Sequence, residues 1–434
     1  MIRKNLMFGG SSMRLFLKSD QRVIVSSFFT LAILLGVLAF IWNTPLEIWR
    51  GSLIIFTAPG NLITDYFEIA NVGAAFMNGA LMLFQAIFIL KISKTPVNSM
   101  IVAAVFTIVG FSFFGKNLYN STSIIFGVYL YYKVSKIPFN WVPIALFGTA
   151  LGPLVSVVSF GFSLPTITGL LLGNFVGIIA GFFMPILSQH FIQFHQGFSL
   201  YNIGFTAGMI GSFFMAIFQS FALKVTPVYL VSEGNNRAMS LFLIILFSLI
   251  FLLSWWLNDC SFVGFSRLLK ESGRGGSDYF ADFEQGIVLM NMSLLGLIST
   301  GYVLCIGGEL NGPTIGGIFT VFGFGAVGKH IKNVIPILAG VFIVGYFSAH
   351  DVNSTAAILA ALFGTTLAPI SGYYGPMIGV LAGGIFIMFT TNSLAQLHAG
   401  MNLYNNGFAG GFVAAVMAPI LDKLVSRPKE KNLK

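Results

Sequence analysis

Two lysines among apolar residues are the side chains in this sequence best suited to bind a solute. Lys116 is followed by Asn117 and Lys329 by His330, and each pair comes directly after a glycine. An ammonium group inside a membrane is costly unless it faces water or a partner, so such a lysine indicates a functional site. Near the midplane the two pairs predict a site for an anion or strongly polar solute. Near the membrane surfaces they are interfacial anchors instead. Both interpretations stay open.

Two histidines and two asparagines are further candidates for a solute path. His195 and His398 precede matching motifs, and an imidazole titrates near neutral pH, so both are candidate gate or pore-mouth groups. Asn78 and Asn291 lie at matched positions inside apolar segments. Their amides predict either hydrogen bonds between helices or a path shared by two halves.

The residues that follow each histidine predict the start of a helix. In this interpretation Ser199 and Asn402 satisfy free backbone N–H groups at that start. Tyr201 and Tyr404, which follow them, are then expected at the membrane interface. The histidines themselves have a role either in this cap or in gating.

No motif for nucleotide, metal or covalent chemistry occurs in the sequence. Cys260 and Cys305 predict neither a disulfide framework nor a metal cluster. We therefore expect no enzyme activity, no cofactor, no bound metal and no nucleic-acid partner. Glu309, His350 and Asp351 lack acidic counterparts in the first half of the chain, and they are the candidates for a proton-linked group.

Membrane-spanning helices must position these residues. Apolar types make up 56% of the 434 residues and charged types 9%, and phenylalanine occurs 47 times. A soluble core does not need so much apolar surface, whereas a protein with many membrane spans does. The sequence predicts an all-α polytopic membrane protein whose partners are a lipid bilayer and a small-molecule solute. Homo-oligomer formation is compatible with this class.

The chain contains the same pattern twice. Nine positions between 193 and 208 carry the same residue type 203 positions later, between 396 and 411. Further matches join Asp65 to Asp278 and the run 145–149 to 361–365, in the same order along the chain. Such agreement at fixed spacing indicates a tandem duplication.

Seven hydrophobic segments are predicted in each copy, and an odd number turns the second copy upside down. Basic residues then fall mainly in loops and termini on one side, which predicts that both termini are cytoplasmic. The predicted divisions are a basic N-terminus 1–23, repeat one 24–223, a connector 224–238, repeat two 239–422 and a basic tail 423–434.

The third and fourth segments of each copy, within 97–134 and 313–348, are short. A helix of about 14 residues measures only about 21 Å, below the roughly 30 Å of the hydrocarbon core. The sequence therefore predicts either five full spans plus a re-entrant or broken helix pair in each copy, or seven spans.

The paired Gly-Lys and Leu-Tyr-Asn-x-Gly-Phe motifs resemble a family of bacterial multipass membrane proteins of unknown function with two tandem repeats. The resemblance implies the bacterial cytoplasmic membrane. The layout is faintly similar to urea transporters, which have two inverted five-helix halves with re-entrant helices. The run 116–120, then Pro153, then 164–168 follows that family's order of elements. No aromatic residue follows Thr168, and 373–376 lacks the Leu-Pro-x-x-Thr form.

These observations predict a channel or transporter for a small polar or anionic solute across the cytoplasmic membrane. A proton- or ion-coupled secondary transporter is the first alternative. A membrane-embedded enzyme or a receptor is the alternative from another class.

Overall fold

The computed structural model describes residues 5–60, 63–136, 138–348, 351–390 and 397–424, with the backbone alone for 5–20. The regular secondary structure of the described residues is helical apart from one short pair of parallel strands, β1 (Ile63–Thr64) and β2 (Tyr229–Leu230). Nine of the described helical segments are long and apolar enough to cross a membrane. The prediction of an all-α polytopic membrane protein is confirmed.

The first copy contains ten helices before the connector. They are α1 (Asn5–Trp42), α2 (Pro45–Thr57), α3 (Tyr66–Ile69), α4 (Val72–Ser93), α5 (Ser99–Phe111), α6 (Leu118–Val134), α7 (Trp141–Gly148), α8 (Gly152–Ser156), α9 (Thr166–Phe191) and α10 (Asn202–Ser220).

The second copy repeats this order. Its helices are α11 (Asn236–Leu257), α12 (Phe265–Leu268), α13 (Tyr279–Asp282), α14 (Gln285–Cys305), α15 (Gly312–Phe324), α16 (Ile331–Tyr346), α17 (Thr355–Gly364), α18 (Ala368–Tyr374), α19 (Pro376–Phe389) and α20 (Asn405–Leu424).

One group of loops meets on one side of the molecule. We call it the basic side because loop 258–284, which carries several basic residues, lies there. At the start of the α1 span, Gln21 donates from its side-chain amide to the carbonyl of Val97, 3.2 Å away. The backbone N–H of Gly275 donates to the carbonyl of Gly197 at 2.9 Å. The loops before α5, before α10 and before α14 therefore share one side of the molecule.

The other loops meet on the connector side, named after the connector. In the structure the connector is 221–235, between α10 and α11, whereas the predicted bounds are 224–238. Strand β2 of the connector pairs with β1, which follows α2. The backbone N–H of Gly234 donates to the Glu309 carboxylate at 3.3 Å, which brings the loop before α15 to the same side. The helices between these two groups of loops alternate in direction.

The two copies meet through an antiparallel crossing of α5 and α15. A Cβ added to Gly110 would lie 2.6 Å from the carbonyl oxygen of Gly316, and one added to Gly323 would lie 3.2 Å from the Cα of Ala103. Residues early in α5 thus face residues late in α15. The second copy is inverted relative to the first, as the odd number of segments predicts.

The tips between the short helices reach opposite sides of the molecule. The tip after α5 bonds to the connector side, where the N–H of Tyr66 donates to the carbonyl of Phe113 at 3.1 Å. The tip after α15 bonds to the basic side, where the N–H of Tyr279 donates to the carbonyl of Ala326 at 3.2 Å. The helices of each short pair run in opposite directions, as both predicted arrangements require. Five full spans plus a re-entrant pair in each copy, and seven spans, therefore both stay predictions.

The helices divide into a shell and a core. Only 22% of the most apolar window of α1, and the same share of α11, is buried inside the protein, whereas 94% is buried for 141–161. Apolar side chains on the outer faces of α1 and α11 are exposed, as expected for surfaces that contact lipid. The core helices are therefore the ones that can hold a site.

Candidate functional site

Two buried spans of the core, 141–161 and 355–374, are interrupted at matched positions near the centre. A 3₁₀ turn joins α7 to α8 and another joins α17 to α18. The carbonyl of Ala150 in the first turn accepts the N–H of Leu403 at 3.0 Å, and that of Thr366 in the second accepts the N–H of Leu200 at 3.1 Å. Interrupted helices are tolerated in membranes where protein satisfies their backbone groups. Each interruption therefore receives the chain that leads into the last helix of the other copy.

Two tyrosines pack against each other, with their rings tilted by 49°, at the point where the copies meet. The rings of Tyr201 and Tyr404 lie 5.2 Å apart, and both side chains are buried. Tyr201 also packs on Phe324 at 4.6 Å and Tyr404 on Phe111 at 4.7 Å, so the contacts follow the pseudo-symmetry. We call these four rings the aromatic cluster. The expectation that the tyrosines lie at the membrane interface is wrong, because each packs on the opposite copy.

Lys329 reaches into the aromatic cluster from the basic-side tip. Its side chain is fully buried, and its ammonium group donates hydrogen bonds to the hydroxyl of Tyr201 and, at 2.6 Å, to that of Thr365. The same nitrogen lies 4.5 Å from the centre of the Tyr201 ring and 5.3 Å from that of Phe324. Hydrogen bonds from a charged donor and contacts with aromatic faces both stabilise an ammonium group. Lys329 is therefore not an interfacial anchor.

Lys116 occupies the matched place on the connector-side tip without the matched bonds. It is fully buried, and its ammonium group has no hydrogen-bond partner among the described residues. Its aromatic contact is with Phe111, at 5.0 Å from the ring centre. Tyr404, the counterpart of Tyr201, donates instead to the hydroxyl of Thr107 at 3.1 Å. The counterpart of Thr365 is Thr149. Both hydroxyls donate to the backbone carbonyl three residues earlier, and that of Thr365 also accepts from Lys329.

Asn78 and Asn291 hold the two tips in place. The side-chain amide of Asn78 donates to the carbonyls of Ser112 and Lys116 at 2.7 and 2.8 Å. Asn291 makes the same two bonds, of 2.7 Å each, to the matching carbonyls, including that of Lys329. These donors position the lysine backbones. A place of the asparagines on a solute path stays a prediction.

Asn117 and His330 cap the helices that follow the lysines. The side chain of Asn117 accepts the N–H of residue 120 and donates to the carbonyl of Ile55 at 2.9 Å. The ring of His330 accepts the N–H of Asn333 at 3.3 Å, and its other nitrogen lies 2.9 Å from the carbonyl oxygen of Glu271. Asn117 thus fastens its tip to α2, and His330 fastens its tip to the basic-side loop that contains Glu271.

His195 and His398 lie on opposite sides of the molecule. His195, in a basic-side loop, has its Nε2 3.0 Å from the side-chain oxygen of Asn202. Burial lowers the pKa of His195, although the Asn202 contact opposes this shift. His398 is fully buried beside Gly211, and no hydrogen bond of normal geometry joins it to Asn405 within the described residues. Within the described residues, neither histidine hydrogen-bonds to Lys116 or Lys329.

Two aspartates cap helices of the opposite copy. Asp65 is fully buried and accepts the N–H of Gly312, the first residue of α15, at 3.1 Å, and both the N–H and the hydroxyl of Ser232 at 3.0 and 2.6 Å. Asp278 is partly exposed and accepts the N–H of Ser99, the first residue of α5, at 3.2 Å. A carboxylate is stabilised at a helix N-terminus. Asp65 also accepts the N–H of Phe67 at 2.9 Å and so caps α3 of its own copy.

A cavity of about 350 Å³ leads from the basic side to the aromatic cluster. Gly197 and Gly275 line it near the basic-side loops, and Tyr201, Tyr404 and Phe324 line it at the centre. Its remaining walls come from α7, the end of α9 and the starts of α5 and α10, and they are mostly apolar. Polar side chains at the walls are Ser188, Gln189, Ser199 and Asn202.

The structure brings together only part of the set predicted from sequence. Lys329 contacts the cavity floor through Tyr201, and Lys116 lies against the opposite face of the aromatic cluster. Glu309 and Asp351 do not line the cavity, and His350 lies outside the described residues. The described residues contain no group of three or more histidine, cysteine, aspartate or glutamate side chains placed to hold a metal.

Sequence reasoning missed the threonines and the role of the tyrosines. Thr149 and Thr365 stand in the matched run Phe-Gly-Thr-x-Leu-x-Pro at 147–153 and 363–369. A glycine, a β-branched residue and a proline within a few positions weaken a helix, so this run was the available signal for the interruptions.

No curated protein and no solved structure is detectably similar to this chain. A family profile described as a protein of unknown function, DUF1576, matches two regions, 44–220 and 257–423. These regions coincide with the two copies seen in the structure. By this match over most of its length, the chain belongs to the DUF1576 family of proteins of unknown function.

Proposed function

We propose that this protein is a carrier for a small polar or anionic solute. The observation that carries the proposal is the cavity that leads from one side to the aromatic cluster, where the inverted copies meet. Inverted repeats with interrupted helices place their substrate sites at such an interface in many transporters. The packed rings of Tyr201 and Tyr404 end the cavity, which favours a carrier over a continuously open channel.

The cavity walls define the kind of solute. They are mostly apolar, with a few polar groups such as Ser199, Asn202 and Gln189, which is typical of sites for small organic molecules. Lys329 brings a cationic group within one hydrogen bond of the cavity floor, through the hydroxyl of Tyr201. A small organic acid or amide fits both features.

Uptake by the purified protein in liposomes tests the proposal. Labelled acetate, lactate, phosphate and urea serve as probes, each with and without a proton gradient. Ile203→Trp fills the cavity and should abolish uptake, whereas Ile217→Trp, on an exposed face of the same helix, should preserve it. Equal uptake by both variants argues against this path, and steady single-channel currents in planar bilayers argue for a channel.

We further propose that the basic side faces the cytoplasm, with both termini on that side. Basic loops are retained on the cytoplasmic side of membranes. In a background without Cys260 and Cys305, Asn235→Cys should react with an impermeant reagent in intact cells and Ser272→Cys should not. If only Ser272→Cys reacts, the orientation in the membrane is the reverse of the one proposed. If both variants react, the inverted arrangement of the two copies is contradicted.

Two alternative functions make different demands. Ion-coupled transport would show as uptake that depends on the proton gradient in the same liposomes. A membrane-embedded enzyme would need its candidate groups together, but His195 and His398 lie near opposite sides. The carrier is therefore the function that we propose.

A further inference from the structure

The two copies differ most where their sequences agree, at the lysine, tyrosine and threonine around the centre. In the second copy Lys329 donates to both hydroxyls of its set, those of Tyr201 and Thr365. We call this bonded set the basic-side clamp. The connector-side set consists of Lys116, Tyr404 and Thr149, and its ammonium group has no hydrogen bond to any described residue.

The same asymmetry appears in the exposure of matched positions around the centre. Met100, Ile144 and Ile203 line the cavity and are partly exposed. Their counterparts in the second copy are buried. These counterparts are Pro313, Ala360 and Asn406.

The two capping aspartates agree with this difference. Asp65 on the connector side is fully buried, and Ser232 of the connector donates twice to it. Asp278 on the basic side is partly exposed. The connector side is thus the more tightly packed of the two, at residues that are independent of the lysines.

We propose that the two lysine sets are alternate clamps, each formed when the cavity opens on its own side. The present structure then has the basic-side clamp formed and the cavity open to the basic side. In the exchanged state Lys116 donates to Tyr404 and Thr149, Lys329 loses its two bonds, and the cavity opens to the connector side. This inference rests on the proposed carrier function and names how access to its site is controlled.

Chemistry and symmetry both support the exchange. A buried ammonium without a hydrogen-bond partner is unfavourable. Each state contains one such lysine, and that lysine gains its hydrogen bonds when the protein changes to the other state. The clamp contacts of the two states are equivalent with the copies exchanged, whereas matched positions such as Ile203 and Asn406 differ, so residues outside the clamps favour the present state. A change at one clamp shifts the populations from that starting point.

Cysteine reactivity in lipid nanodiscs, where both sides meet water, tests the inference without any solute. In the background without native cysteines, Ile203→Cys reports the basic-side opening and Asn406→Cys the connector-side opening. A water-soluble maleimide should modify Ile203→Cys much faster in the parent protein. Adding Lys329→Met should shift the ratio of the two rates toward Asn406→Cys by about tenfold or more, the effect expected for loss of hydrogen bonds from a charged donor.

The matched variants keep the outcome decisive. Lys116→Met removes the clamp of the exchanged state and should leave Asn406→Cys slow. If Lys329→Met does not yield folded protein, Tyr201→Phe removes one acceptor of the clamp and should shift the ratio in the same direction, with Tyr404→Phe as its control. Equal ratios in the Lys329 and Lys116 variants, or shifts of both in one direction, overturn the inference.

The failure of this inference is distinguishable from failure of the proposed function. A protein that moves no probe in liposomes but shows the opposed shifts has the clamps without the carrier role. A protein that transports a probe but shows no shift has the carrier role without the clamps.

Discussion

The tips of the two copies carry the same residues and make different contacts. Lys329 bonds to two hydroxyls, whereas Lys116 bonds to none within the described residues. Asn78 and Asn291, which hold the tips, make the same bonds in both copies. The backbone frame of the site is therefore symmetric, and the asymmetry lies in the lysine side chains and the tyrosines that they reach.

The largest effect on stability is expected where the two copies cross. The two tips can be compared only while α5 and α15 are in contact. In Gly110→Val, the new Cβ would lie 2.6 Å from the carbonyl oxygen of Gly316. Backbone cannot yield as a side-chain end can, so we expect a loss of about 3 kcal/mol or most of the folded protein. Unfolding of the variant and the parent in mixed micelles measures this loss of unfolding free energy. Gly301→Ala, with open space around it, should behave as the parent, and an unchanged Gly110→Val would contradict the crossing.

A smaller effect separates the two lysines. Lys329→Met removes two hydrogen bonds and leaves the Tyr201 hydroxyl buried, so we expect a loss of about 2 to 3 kcal/mol of unfolding free energy. Lys116→Met removes an ammonium without a hydrogen-bond partner and should cause no loss or a small gain. The same unfolding measurement compares them. Equal losses in the two variants would show that the different hydrogen bonding of Lys329 and Lys116 does not affect the unfolding free energy.

The smallest effect is expected at the aspartates. Asp65→Asn replaces an acceptor of several hydrogen bonds at a buried site, and we expect a loss of about 1 to 2 kcal/mol. Asp278→Asn weakens one contact at a helix N-terminus and should cost below about 1 kcal/mol. Melting temperatures in detergent rank the two. A larger loss for Asp278 would mean that the basic side is the more tightly packed.

Much of the architecture follows from sequence alone. Apolar segments of membrane length and motifs repeated at fixed spacing predict the helices, the duplication and, through the odd number of segments, the inversion. The matched Gly-Lys pairs also direct attention to the correct tips. These features are local or periodic, and a single sequence displays them.

The contacts at the centre could not be predicted in the same way. Tyr201 precedes a helix in a manner typical of an interfacial residue, and only the fold reveals that it packs on Tyr404 and bonds to Lys329. Matched sequences also predict equal environments for Lys116 and Lys329. The difference between them belongs to one conformation of the protein, and a sequence does not specify which of two related conformations is occupied.

The antiparallel crossing of α5 and α15 has a consequence for the origin of the gene. An ancestor with a single copy could have made this contact only with another molecule of itself inserted the opposite way round. Such an ancestor would have needed nearly balanced positive charge on its two ends, so that both orientations were populated. Fusion of two copies removed that requirement, and the basic residues now collected in loop 258–284 would have fixed the orientation of the second half afterwards.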